Sequence, residues 1–248
     1  WLHHSLSKIM GEFSKVGLRL ILRRGSLKKI ILQLVDEIQP TQVFWNRCYD
    51  AYRVDVFSHL KLSLQDVDIE AESFQANLLF EPWQVQNKAG GSFKVFTPFW
   101  KTCLARDDLT PREPYSLPRY GGGLTPVASD SLEAWGLLPK KPDWAAGFSE
   151  YWQPGEVGAS ENLDRFLSEA VEGYKERRDF PGQEYTSRLS PHLHFGEISP
   201  FQCWHAVRER FQPGESRGAD HFLSEIGWRE FSYYLLFNFP YITNKNFA

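Results

Sequence analysis

Residues 18–44, LRLILRRGSLKKIILQLVDEIQPTQVF, contain the pattern that decides the fold class. The run Leu18–Leu22 has the length and the apolar content of a short buried strand. Ser26 can cap a following helix whose apolar residues recur at helical spacing, and Pro40 ends that stretch. Gln42–Phe44 opens a second strand. A strand, a helix and a strand joined by short links indicate a right-handed parallel unit, so the sequence predicts an α/β fold.

The segment before this unit is predicted to be a further helix. Residues 5–16 place apolar side chains at helical spacing, and Gly17 follows as a helix stop. We therefore predict that residues 1–108 form part of a doubly wound α/β domain with a parallel sheet. The chain starts at Trp1 rather than at a methionine and shows no signal-peptide pattern, so we expect it to begin inside a longer protein.

Two changes of pattern divide the rest of the chain. Residues 109–158 are rich in proline and include the run Gly121–Gly123, which predicts a long connection between domains. Residues 159–248 are helical in pattern and are predicted to form an all-α domain. Its helices are expected around Leu163–Val171, Pro200–Phe211 and Ala219–Phe239.

Composition and charge exclude some classes of protein and leave others open. The net charge of −3 gives no sign of a dedicated nucleic-acid binder, so any DNA contact has to come from a local patch. Aromatic residues make up 15% of the chain, which fits either an aromatic core or a site for a planar ligand. The three cysteines have neither zinc nor disulfide spacing, which suggests reduced thiols and a cytoplasmic protein without a metal. The sequence contains no apolar run long enough for a membrane span.

One segment, Tyr174–Pro200, concentrates polar side chains. Thr186, Ser187 and Ser190 supply three hydroxyls within five residues, with Arg188 among them. Such a cluster can bind an anion, but Ser and Thr also cap helices without binding a ligand, and the pentapeptide alone leaves both interpretations open. His192 and His194 lie two residues apart without a third ligand, so we expect them to pack or to form hydrogen bonds rather than bind a metal.

A second segment, Phe222–Phe231, brings a carboxyl, an indole and a guanidinium to one helix. Glu225 and Arg229 stand four residues apart, and Trp228 lies three residues after Glu225 on the same side. These side chains could form an ordinary salt bridge beside a core tryptophan. They could also converge on one ligand.

Five motifs follow one another along the chain: WNRCYD (45–50), FKVFTPFWK (93–101), WQPGEVGA (152–159), YKERRDFPGQEYTSRLSPHLHFGEISP (174–200) and EIGWREF (225–231). Their order and spacing resemble the photolyase/cryptochrome family over nearly the whole chain. Within that family the pattern is most similar to the class I photolyases that act on cyclobutane pyrimidine dimers.

The resemblance implies an α/β domain that holds an antenna pigment, a linker, and a helical domain that binds FAD. The pigment is a folate or an 8-hydroxy-5-deazaflavin, and Asp50–Arg53 does not match the acidic pattern expected of folate contacts. Family members also extend beyond both ends of this chain, so residues 1–248 alone are expected to bind FAD poorly and to be inactive. The positions that match the flavin contacts of the family are Tyr174, Thr186, Ser187, Arg188, Leu189, Ser190, Phe222 and Arg229.

For function, the resemblance implies light-driven repair of UV-damaged DNA that contains pyrimidine dimers. Glu225 and Trp228 match the catalytic residues that face the flipped dimer, and Arg178 and Arg229 complete the expected DNA contacts. In the family, excited reduced FAD gives an electron to the dimer, the cyclobutane ring splits, and the electron returns. The protein is expected to act as a monomer.

Two other functions stay open. The first is a cryptochrome, a blue-light receptor on the same scaffold. Glu225 favours the photolyase, because (6-4) photolyases and animal cryptochromes tend to carry Gln there. The DASH branch tends towards SSKFS where this chain has TSRLS. The second alternative is a non-catalytic flavin-binding module, which needs no dimer pocket.

Overall fold

The computed structural model describes residues 1–106 and 126–247. The chain divides into two compact units, each made of separate segments. The described part of the first unit is 1–40, 126–164 and 188–198, and that of the second unit is 41–106, 165–187 and 199–247. The predicted run Gly121–Gly123 lies outside the described residues. The predicted domain bounds, 1–108, 109–158 and 159–248, stay a prediction.

Helices dominate the described part of the chain, and two short strands lie between the second and the fourth helix. Short 3-10 turns occur at Pro82–Gln84, Glu133–Trp135, Ala146–Glu150 and Pro240–Thr243, and a π-helical turn spans Phe166–Ala170. The strands are β1 (Gln42–Asn46) and β2 (Glu70–Phe74). The helices are α1 (Leu2–Lys15), α2 (Leu27–Ile38), α3 (Ala51–Gln65), α4 (Phe96–Leu104), α5 (Glu156–Arg165), α6 (Tyr174–Arg177), α7 (Ser190–Phe195), α8 (Pro200–Arg210) and α9 (Arg217–Asn238).

The parallel sheet of the second unit is built from β1 and β2, with α3 as the connection between them. Gln42 stands opposite Glu70 and Asn46 stands opposite Phe74. Asp50 starts α3 because its carboxylate accepts a hydrogen bond from the backbone N–H of Arg53 at 3.0 Å. This β–α–β unit and the helical remainder of the chain give the α/β plus all-α fold class that the sequence predicts.

The predicted strand Leu18–Leu22 was wrong. This segment has no regular secondary structure in the first unit and does not pair in a ladder with another strand. Its backbone bonds instead to residues 127–130: the N–H of Leu22 donates to Ser129 Oγ at 2.9 Å, and its carbonyl accepts from Asp130 N at 2.8 Å. The backbone groups of Leu22 are therefore satisfied by a non-repetitive segment, and the parallel unit forms one strand later than predicted.

The predicted helices are confirmed within a few residues. Gly17 follows α1 at φ 75°, and the N–H of Leu18 bonds to Phe13 O at 2.9 Å, as expected when a glycine ends a helix. Ser199 caps α8 through Gln202 in a capping box. Ser26 precedes α2 as predicted, but its side chain makes no capping hydrogen bond.

The core of the second unit forms where α4 and α8 pack on the buried side of α9. The ring centroid of Phe99 on α4 lies 5.1 Å from Phe231 and 4.8 Å from Tyr234 on α9. Trp100 meets Trp204 on α8 edge to face at 5.8 Å. Each such pair adds roughly 0.5–1.5 kcal/mol beyond the burial of its area, so the position of α9 is firmly set.

In the described ranges, no helix is long and apolar enough to cross a membrane. Residues 1–106 and 126–247 also contain no group of three or more His, Cys, Asp or Glu side chains that could hold a metal ion.

Candidate functional site

Helix α9 places two groups of side chains on different sides. Phe222, Ile226 and Phe231 are buried, whereas Glu225 is partly exposed and Trp228 is exposed. Since residues three and four apart share a helix face, the carboxyl and the indole lie beside one another at the surface, as predicted.

The carboxylate of Glu225 forms an ion pair with Arg178, which follows α6. The Nη1 atom of Arg178 lies 2.5 Å from Glu225 Oε1, and it also donates to the hydroxyl of Tyr174 at 3.2 Å. The side chains of Arg178 and Glu225 keep 27% and 33% of their exposure, so a ligand can reach both. The structure thus brings together two residues that lie 47 positions apart in the sequence.

The indole of Trp228 stacks on the ring of Phe96, the first residue of α4. Their centroids are 3.8 Å apart and their planes differ by 13°. Trp228 still keeps 47% of its exposure, so it retains surface on which a second planar group can stack. The predicted aromatic plate is therefore held at a fixed angle by a second aromatic ring from the FKVFTPFWK motif.

Arg229 contacts the backbone near Asn77 and the ring of Tyr233. Its Nη1 atom donates to the backbone carbonyl of Asn77 at 2.5 Å, and its guanidinium lies 5.1 Å from the ring centroid of Tyr233. Glu225 pairs with Arg178, so the salt bridge within α9 that the spacing allowed is replaced by one between α9 and the residue after α6. Arg229 holds the segment around Asn77 against α9, and its predicted contacts with flavin and DNA stay predictions.

Sequence reasoning missed Glu230, which has 2% exposure in the second unit. Its Oε2 atom accepts hydrogen bonds from the backbone N–H groups of Leu79 at 2.7 Å and Phe80 at 3.3 Å. Burial away from water raises the pKa of this carboxyl to about 8. The only signal in the sequence was a charged residue in line with the apolar stripe of α9, one helical turn after Ile226.

We predict that Glu230→Gln alters how stability depends on pH. The folded state holds the Glu230 proton more tightly than the unfolded state does, so the stabilisation is greatest below about pH 4.5 and is lost as pH rises to about 8. Gln keeps an acceptor for Leu79 and Phe80 but cannot ionise. Relative to the variant, the wild type should lose on the order of 2–4 kcal/mol of unfolding free energy between pH 5 and pH 8.

Urea unfolding of both proteins at several pH values measures this difference, with the exposed Glu12→Gln change on α1 as the control. Parallel pH profiles for Glu230→Gln and the wild type would show that Glu230 keeps an ordinary proton affinity.

The residues predicted to contact flavin fall into both units. In the second unit, Tyr174 and Phe222 are buried with Phe166: the centroids of Tyr174 and Phe222 lie 5.8 Å apart, and Phe166 lies 4.7 Å from Phe222. Thr186 is exposed and Ser187 is half-buried. Phe222 keeps only 3% exposure, so in the described residues it serves as core packing.

The first unit contains the other half of the pentapeptide. Arg188 adopts φ 55°, a left-handed conformation that is uncommon for a residue with a side chain. Leu189 is buried, and Ser190 is exposed at the first position of α7. The hydroxyl of Ser190 is therefore accessible to a ligand of this unit.

His192 is a buried hydrogen-bonding residue, as predicted. Its Nδ1 atom lies 2.6 Å from Glu197 Oε2, and its Nε2 atom lies 3.2 Å from Asn162 Nδ2. The indole N–H of Trp1 donates to the other oxygen of Glu197 at 3.1 Å. This network ties together distant segments of the first unit. His194 lies edge-on to Phe195 at 4.7 Å.

Comparison with known proteins adds independent evidence. Residues 1–117 match the family model described as DNA photolyase. The chain is 43% identical over 250 residues to a deoxyribodipyrimidine photo-lyase of Agrobacterium fabrum, covering 99% of this chain and 51% of that protein. It is 32% identical over 254 residues to Cryptochrome-1 of Arabidopsis thaliana, covering 97% of this chain and 36% of that protein.

A solved structure shows the same fold. A bacterial class III photolyase from Agrobacterium tumefaciens superposes with a TM-score of 0.91 at 42% identity, covering 99% of this chain and 51% of that one. The chain spans about half the length of the photolyases it matches. The matched sequence, the matched fold and the motifs of α9 lead to one assignment: the chain belongs to the photolyase/cryptochrome family.

Proposed function

We propose that the protein containing this chain repairs cyclobutane pyrimidine dimers in DNA with light, using reduced FAD as the electron donor. The observation that supports this proposal is the pairing of Glu225 with Arg178 beside the exposed indole of Trp228. This combination of a carboxyl, a guanidinium and an exposed indole suits an extruded pyrimidine dimer better than it suits a purely structural surface.

Each of the three side chains has a defined task in this proposal. A damaged dimer stacks and pairs poorly, so extruding it from the duplex costs less than extruding a normal base. Trp228 stacks on the extruded dimer, and Glu225 hydrogen-bonds its pyrimidine edge. Arg178 binds a backbone phosphate, which positions the DNA without reading its sequence. A carboxyl that shares a proton beside the dimer offsets the negative charge that the dimer gains during repair.

The polar groups of residues 186–190 fit the phosphates of FAD. Hydroxyls and a guanidinium are the donors that phosphate oxygens prefer, and Thr186 and Ser190 are exposed. When bound and reduced, the flavin supplies the photoexcited electron, while the protein supplies binding and orientation. A second pigment, a folate or an 8-hydroxy-5-deazaflavin, would act as the antenna.

Removing the hydroxyls tests the flavin site. We expect Ser187→Ala combined with Ser190→Ala to speed FAD dissociation by about a hundredfold or more, because each of the two lost hydrogen bonds to a charged group contributes roughly 1.5–3 kcal/mol. The dissociation rate is measured by the recovery of flavin fluorescence after dilution. Ser58→Ala on α3, whose hydroxyl bonds to Val54 O within its own helix, is the matched control. An unchanged rate in the double variant would mean that the two serines only shape the backbone.

The motifs and the related structure differ on the photolyase class of this protein. The motif pattern alone suggested class I, whereas the related structure from Agrobacterium tumefaciens is a class III photolyase at 42% identity. That similarity over 99% of the chain favours class III over class I for this protein. The similarity to Cryptochrome-1 keeps light reception as the second candidate function.

A single assay separates these functions. The purified protein with reduced flavin is given an oligonucleotide that carries one defined thymine dimer, and binding is measured in the dark before repair is measured under blue light. A photolyase binds the dimer more tightly than intact DNA and restores the thymines only in the light. Equal affinity for both DNAs and no restored thymines would leave light reception or plain flavin binding as the function.

A further inference from the structure

His221 lies one helical turn before Glu225 on α9 and is a third partner of the Arg178–Glu225 ion pair. Its Nε2 atom lies 3.4 Å from Arg178 Nη1 and 3.6 Å from Glu225 Oε1. About a third of the His221 side chain is exposed, as it is for Glu225. The three side chains therefore form one solvent-accessible cluster on the face that carries Trp228.

The geometry defines the hydrogen-bonding role of the imidazole. A guanidinium can only donate, so a hydrogen bond between these two side chains requires the Nε2 atom of His221 to accept from Arg178. A protonated imidazole in this position would be a second cation within hydrogen-bonding distance of Arg178, and the two would repel each other. The same nitrogen also faces Glu225, and while it accepts from Arg178 it carries no proton to donate to this carboxylate.

The other charged groups nearby do not compete for His221. The Tyr174 hydroxyl accepts from Arg178, and burial raises the pKa of this phenol, so it is neutral. Asp179 lies 3.6 Å from Arg178 Nε. At the start of α9, Asp220 pairs with Arg208 at 2.9 Å and Arg217 lies 3.9 Å from Glu176.

Binding of DNA would change the interactions of Arg178 with Glu225 and His221. On the proposed function, Arg178 binds a backbone phosphate, which competes with Glu225 for the guanidinium. A guanidinium that turns towards phosphate leaves Glu225 without its cation and removes the positive charge that would repel a protonated imidazole. Both changes favour a proton on Nε2, where it can be donated to Glu225.

We propose that His221 takes up a proton from solvent when DNA draws Arg178 away, and that it then replaces Arg178 as the partner of Glu225. This inference rests on the proposed function. Because the pair is at i and i+4, the imidazolium can hold the carboxylate in place on α9. It also brings a positive charge to the group that faces the dimer, which offsets the negative charge of Glu225 when the dimer carries an extra electron. His221 is thus a positioning residue for the dimer-facing carboxyl.

Proton uptake on binding is the direct test. Heats of binding to the dimer-containing oligonucleotide are measured at pH 7.5 in the dark in two buffers whose ionisation enthalpies differ, and the difference gives the protons taken up. We expect uptake approaching one proton per complex in the wild type. The affinity should then fall by up to about tenfold for each unit of rising pH.

Two variants identify the group that takes up the proton. His221→Gln cannot be charged, and Glu225→Gln removes the carboxylate that stabilises the charge, so both should bind DNA without the uptake. His59→Gln on α3 is the matched control, since His59 also faces a carboxylate four residues away, Asp55, at 3.4 Å but lies in a different element. This control should keep the wild-type uptake.

The outcomes separate the inference from the function on which it rests. The wild type could prefer dimer-containing DNA but take up no proton, or His221→Gln could show the same uptake as the wild type. Either result would overturn the inference that His221 replaces Arg178 as the partner of Glu225, and the proposed repair function would stand. Equal binding of dimer-containing and intact DNA by the wild type overturns the function itself. Uptake that disappears in His221→Gln and Glu225→Gln but persists in His59→Gln supports the inference.

Discussion

Replacing Trp228 with Ala is expected to weaken binding to dimer-containing DNA by roughly ten- to a hundredfold, with little change for intact DNA. The indole stacks on Phe96 at 3.8 Å yet keeps 47% exposure, so it can take one more planar group. Stacking one base on an aromatic ring is worth about 1–3 kcal/mol, and the variant loses that energy only with the extruded dimer. Fluorescence anisotropy in the dark at one fixed salt concentration measures both affinities, because phosphate contacts make binding salt-dependent.

Trp83 provides a matched control for this experiment. It lies in the same unit, keeps 45% exposure, and packs against the ring of Phe237 at 5.6 Å. Trp83→Ala therefore removes an equally exposed indole that the proposed site does not use, and dimer binding should stay at the wild-type level. Trp228→Phe should retain most of the affinity because it keeps a flat ring. Equal losses in Trp83→Ala and Trp228→Ala would mean that the effect comes from the fold and not from stacking.

The sequence predicted the parts of this structure that depend on local patterns. The helix around Glu225 and Trp228 repeats its apolar residues at helical spacing over more than five turns. The side chains of this helix keep fixed spacings along its axis. The adjacent positions of the carboxyl and the indole could therefore be predicted before any tertiary contact was known.

The parts that depend on distant partners were not predictable in the same way. The LRLIL run has strand composition, but a strand forms only where another backbone offers a ladder, and this segment meets residues 127–130 instead. Strand β2, EAESF, alternates exposed with half-buried residues and carries two glutamates. Its composition is not that of a typical strand, so the sequence did not predict it. The partner of Glu225 was assigned to Arg229 or to a ligand, because α6 brings Arg178 to α9 only in the folded chain.

The fold also determines the site at Gly227, and Gly227→Ala is expected to destabilise the protein by roughly 1–2 kcal/mol. In an open helix the same change stabilises by roughly 0.5–1 kcal/mol, because glycine loses more backbone entropy on folding. Here a Cβ atom would lie 2.7–2.8 Å from three carbons of the Trp100 ring. Overpacking of this kind costs roughly 1–3 kcal/mol, and a buried indole held edge-on against Trp204 cannot swing aside, so the steric term exceeds the entropic gain.

The steric overlap at Gly227→Ala should also affect the candidate site. If α9 moves away from α4 to accommodate the methyl group, Trp228 moves relative to Phe96, and the affinity for dimer-containing DNA should fall along with the stability. Gly11→Ala on α1 is the matched control, since no atom lies within 4 Å of the added Cβ, and it should stabilise the protein slightly. Urea unfolding of the wild type, Gly227→Ala and Gly11→Ala shows whether each change raises or lowers the free energy of unfolding. If Gly227→Ala is more stable than the wild type and binds DNA equally well, the contact between α9 and α4 has room for the added methyl group. The orientation of the Trp228 indole would then not depend on that contact.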